Sequence, residues 1–118
     1  MSELSSQFAG GAVAAAAVVT DTVATVLAPL DVQAFDRFAI YVQNIAGGND
    51  LTSLDVETAP TSLGPWVTLS TPDFLPLAAE ATGLIQLSGK AVKFLRLRAT
   101  CDAGEATTLN IWLSAGGA

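Results

Sequence analysis

The chain has 118 residues, of which 51% are hydrophobic and 14% charged, and it carries a net charge of −6 with no histidine. That length supports one hydrophobic core, and the acidic balance opposes binding to a nucleic acid backbone. The missing histidine removes the commonest general base and the commonest metal ligand.

A mean hydropathy of +0.50 implies apolar surface hidden either in a membrane or against protein. The longest uncharged stretch near the N-terminus, residues 4–20, contains Ser5, Ser6, Gln7 and the Gly10-Gly11 pair, short of the roughly 20 apolar residues of a spanning helix. Residues 1–7 include Glu3 but no Lys or Arg, which makes a poor secretory signal. Synthesis in the cytosol and burial against other subunits are therefore expected, with no membrane partner. Gly10-Gly11 reads as a joint, so residues 1–11 form a flexible N-terminal arm and residues 12–118 a single domain.

Ala14 to Ala17 favour helix, whereas Val18, Val19, Thr20, Thr22, Val23, Thr25 and Val26 favour strand. Strands are expected over residues 12–19 and 22–28. An Ala-rich strand lets a neighbouring backbone approach closely, which makes Ala12, Val13 and Ala15, with Phe8 ahead of them, candidate interface residues.

From residue 37 onward apolar and polar residues alternate with period two, the signature of strands. In the run 37–45, Phe38, Ile40 and Val42 oppose Ala39, Tyr41 and Gln43, and two fairly apolar faces fit a central strand. Leu54, Val56 and Thr58 alternate with Ser53, Asp55 and Glu57 in a strand with one wet face. A turn over 60–65 leads to a short strand, 66–70, and Pro72 and Pro76 then break the ladder. Short strands follow at 84–88 and 92–100, the latter with Leu95, Leu97 and Ala99 toward the core. The last strand, 107–114, sets Leu109, Ile111 and Leu113 inward, and the turn at 102–105 predicts that these final two strands form a hairpin. About eight short antiparallel strands with regularly spaced turns predict an all-β two-sheet sandwich.

Chemistry is hard to place on this chain. Asp55 and Glu57 share a strand face, and a like-charge pair can raise one pKa, but a solvated outer face explains them better. Cys101 lacks a histidine to activate it and reads as a structural thiol. Gly47-Gly48-Asn49-Asp50 offers too few oxygens for calcium and reads as a turn. No catalytic, metal or cofactor residue is assigned, and the chain is expected not to be an enzyme. Lys90, Lys93, Arg96 and Arg98 form a basic stretch with only Phe94 as an aromatic neighbour, too little for nucleic acid binding. Trp66 and Trp112 could fill a core or stack on a sugar ring. Trp112 falls on the face opposite Leu109 and Ile111, and with Phe94 across the expected hairpin it would make an apolar interface spot.

The succession FDRFAIYVQN, LDVETAP, GPWVTLS, KFLRLRAT and TLNIWLS is similar to that of discoidin-like, galactose-binding-like jelly rolls. Val56-Glu57-Thr58 and Trp66 match the landmarks, whereas residues 59–65 depart from the usual Ser and Asp-Gly turn. A short, acidic chain with a Thr/Ala/Val-rich start also resembles small virion structural proteins of tailed bacteriophages, particularly head decoration or cement proteins. The second resemblance implies a jelly-roll-like sandwich that binds the major capsid protein from outside the shell and stabilises the head. It also implies a homo-oligomer, commonly a trimer, located at the capsid surface and assembled in the host cytoplasm. The alternative is a carbohydrate-binding or receptor-binding module of a phage fibre or tail, with Trp112, Tyr41 or Trp66 stacking on a sugar.

Overall fold

A computed structural model describes residues 14–33, 35–45, 47–88 and 92–116. The eight strands are β1 (Ala14–Val19), β2 (Ala24–Asp31), β3 (Arg37–Asn44), β4 (Ser53–Ala59), β5 (Val67–Ser70), β6 (Thr82–Ser88), β7 (Phe94–Thr100) and β8 (Thr107–Gly116). They form two four-stranded antiparallel sheets, ordered β1-β8-β3-β6 and β2-β7-β4-β5. Where Ala14 to Ala17 pulled toward helix and the valines toward strand, strand prevails, because pairing with β8 outweighs a weak intrinsic preference.

The topology has a simple origin. β1 pairs with β8, β2 with β7, β3 with β6 and β4 with β5, as if the chain were one long hairpin whose tip is the turn between β4 and β5. Further pairing of β3 with β8 and β4 with β7 rolls that hairpin into a sandwich, the eight-stranded jelly roll. Every other connection between consecutive strands crosses from one sheet to the other.

The hairpin expected from β7 and β8 is therefore not formed: the two strands lie in opposite sheets. The short corner at 101–106 is held by other elements. Cys101 N donates to Thr20 O (2.8 Å), while Asn49 N donates to Ala106 O and Ala106 N to Asn49 Oδ1, both at 3.1 Å. A brief polar turn between alternating segments suits a hairpin and a jelly-roll corner equally, so local sequence does not separate them.

Between the sheets, Ile40, Val42, Leu109 and Ile111 face Leu54, Val56, Leu95 and Leu97, all fully buried. The other members of each alternation point outward, which is why both outer faces can be read residue by residue.

Among the described residues one polar side chain lies fully inside. Asn44, at the end of β3, donates from Nδ2 to Asn49 O and to Leu77 O, both at 2.8 Å, and its Oδ1 accepts from the buried Thr107 hydroxyl. It ties the β3–β4 connection, the β5–β6 connection and the start of β8 together at one end of the sandwich. Gly48 packs so tightly there that a Cβ would fall 1.9 Å from Thr107 Oγ1.

Candidate functional site

The two outer faces have opposite characters. On the β2-β7-β4-β5 sheet, the register sets Asp55 opposite Arg98 and Glu57 opposite Arg96. Arg96 reaches Glu57 Oε1 from Nη2 at 2.6 Å and from Nε at 2.7 Å, and its guanidinium lies 4.1 Å from the Trp66 ring centre, a cation–π distance. Asp55 accepts from the Thr71 hydroxyl at 2.6 Å. The acidic pair and Arg96 and Arg98 of the basic stretch thus lie across from one another on one face. Two acids meet two bases, so the face carries little net charge.

The outer face of the β1-β8-β3-β6 sheet is built differently. Alternation leaves Ala39, Tyr41 and Gln43 of β3, Thr108, Asn110, Trp112 and Ser114 of β8, and Thr82, Leu84, Gln86 and Ser88 of β6 pointing outward. Arg37, at the end of β3, is its only charged residue among those described. Tyr41 is directly opposite Trp112 on one side and Leu84 on the other, so the three make a continuous row across neighbouring strands. Tyr41 is 42% and Leu84 45% exposed. Asn110 and Gln43 flank the row, joined from Nδ2 to Oε1 at 3.2 Å.

Of the residues singled out from sequence, Trp112 and Tyr41 lie side by side on this face. Phe94 does not join them. It is half-buried on the opposite sheet, where it pairs with Ala59 and Asp31, so the expected Phe94/Trp112 spot is replaced by the Trp112–Tyr41–Leu84 row. Ala15 lies exposed on the edge strand β1. Phe8, Ala12 and Val13, with the whole expected arm 1–11, fall outside the described residues. Leu84 was missed because it alternates with buried Ile85 and Leu87 in a short apolar run, where periodicity alone does not mark which residue is outward.

Cys101 is buried, and desolvation first, then the nearby charges of Glu105, Asp102 and Asp50, push its thiol pKa up. That is the reverse of what a nucleophile or metal ligand needs. A shallow cleft of about 230 Å³ lies at the Asn44 end, between Val18, Ile45, Gly48 and Thr107, and none of its lining side chains is charged. Among the described residues no group of His, Cys, Asp and Glu is placed to hold a metal ion, and no helix is long and apolar enough to cross a membrane. No protein-family model matches this chain, and no curated protein sequence matches it either.

Proposed function

We propose that this chain is a virion structural protein of the head-decoration type, which attaches to the major capsid protein from outside and stabilises the shell. The observation that carries the reading is the outer face of the β1-β8-β3-β6 sheet, where among the described residues Arg37 at the margin is the only charge, with its Trp112–Tyr41–Leu84 row. Depletion of charge and exposed aromatic residues are the composition of an interface centre. A chain with 51% hydrophobic residues gains by covering such a face in an assembly, and the jelly roll is a fold used in viral shells.

Quantitative mass spectrometry of purified virions tests the reading. A copy number comparable to that of the major shell protein is expected, and absence of the chain from the particle refutes it. Tyr41→Asp, at the centre of the face, is expected to lower occupancy at least about tenfold, as a buried unpaired charge does in an interface. A second reading, a sugar-binding module of a fibre or tail, is favoured by one feature: two aromatic side chains adjacent on an open face. A copy number of a handful per particle, with glycan-array binding abolished by Trp112→Ala, would select it.

A further inference from the structure

A sheet edge offers unpaired N–H and C=O groups to any other strand, and natural proteins blunt such edges with bulges, proline, charge or brevity. Three of the four edges here are blunted. β1 has a register shift between Ala14 and Ala17 and a left-handed Ala16 at φ 53°. β2 has two register shifts, Pro29 and a terminal Asp31. β5 is four residues long, shifts register against β4, and lies between Pro65 and Pro72.

β6 has none of these devices. Its sequence TGLIQLS has no proline and no charge, and it pairs with β3 in unbroken register from Thr82 to Ser88. Among the described residues no other backbone hydrogen-bonds to its free side.

We propose that β6 pairs with β6 of a second copy, antiparallel and centred on Ile85, joining two four-stranded sheets into one of eight strands across a twofold axis. Residues opposite each other in a continuous sheet must face the same side, so a twofold pairing centres on a residue, and Ile85 is the centre that engages the whole strand. Thr82 then meets the partner's Ser88, Gly83 the partner's Leu87, and Leu84 the partner's Gln86. The two exposed leucines become diagonal neighbours, and each outer row of one copy runs toward that of the other.

The strand suits its own copy in this register: it carries no charge that would be set against a like charge, and its inward residues Gly83, Ile85 and Leu87 meet inward residues of the partner. A twofold contact is closed, so the self-association stops at two copies. It does not depend on what the outer face docks onto, and a chain that fails to bind shells would still dimerise.

Sedimentation velocity of the full chain tests this over a dilution series, since a seven-residue edge is a small interface of micromolar strength. Wild type is expected to shift from monomer to dimer with concentration. Leu84→Lys with Gln86→Lys sets lysine against lysine twice and is expected to weaken dimerisation at least about tenfold, with the far-ultraviolet circular dichroism unchanged because both side chains are exposed. Leu84→Lys with Gln86→Glu sets opposite charges face to face in this register alone, and is expected to restore the dimer. A monomeric wild type, a trimer, a dimer indifferent to the lysine pair, or no rescue by the lysine–glutamate pair would each overturn the proposal.

Discussion

Replacing Asn44 by alanine removes three hydrogen bonds at a site with no exposure to solvent. Leu77 O keeps a partner in Leu51 N at 2.9 Å, but the Thr107 hydroxyl and Asn49 O are left without one. At about 1 kcal/mol for each lost bond the expected destabilisation is about 3 kcal/mol. For a urea slope of about 1.5 kcal/mol/M the midpoint then falls by about 2 M, read by tryptophan fluorescence. Asn110→Ala is the internal comparison. Asn110 also makes two side-chain bonds, to Ala16 N and Gln43, but its partners are open to water, and the expected loss is within about 1 kcal/mol. Asn44→Asp adds a sign. A carboxylate facing two carbonyl oxygens is disfavoured, so its folded-state pKa is raised, and the stability tied to the protonated form is present at low pH and lost as pH rises through that value. The reasoning is refuted if Asn44→Ala costs no more than Asn110→Ala, or if Asn44→Asp grows more stable with rising pH.

Two further outcomes follow from the faces and the core. Arg96→Ala is expected to cost about 2 kcal/mol, because Glu57, with a side chain 18% exposed, loses both contacts and Trp66 loses its cation. Arg96→Met with Glu57→Leu is expected to recover most of that, since removing both charges also removes the desolvation penalty; equal losses in the single and double variants would contradict it. Cys101 is expected to react with a thiol reagent only as fast as the fold opens. Its raised pKa means that the stability it contributes is complete below the ordinary thiol pKa and falls as pH rises through the folded value, so Cys101→Ala should flatten the alkaline limb of the urea midpoint against pH.

The strands were legible in the sequence because each is a local alternation. Phe38, Ile40 and Val42, or Leu109, Ile111 and Leu113, declare the inner face without reference to any partner, and β3 was readable as a central strand from its two apolar sides. Pairing was not legible, because in this topology β1 meets β8 and β2 meets β7 across nearly the whole chain. The same limit hid the Asp55–Arg98 and Glu57–Arg96 oppositions: each half shows as a spacing of two, but which halves face each other is set by register. Asn44 resembles any polar residue ending a strand. Its burial arises only when the connections after β3 and after β5 close over it.

The distribution of charge links the fold to the proposed assembly. Of the eleven acidic residues, Asp55 and Glu57 are opposed by arginines on one face. Asp21, Asp36, Asp50, Asp73, Glu80, Asp102 and Glu105 lie in connections between strands, and Asp31 closes β2. The negative excess is therefore carried around the rims of the sandwich, while the Trp112–Tyr41–Leu84 face and the β6 edge are kept free of it. Rim charge opposes random stacking of copies through solvent, an effect reaching about 8 Å at physiological ionic strength. A contact centred on the carboxylate-free face or edge buries no carboxylate and meets no such penalty. In the proposed assembly the two roles separate: charge at the rims would keep copies dispersed, and contact would form on the Trp112–Tyr41–Leu84 face and the β6 edge, where among the described residues no carboxylate lies.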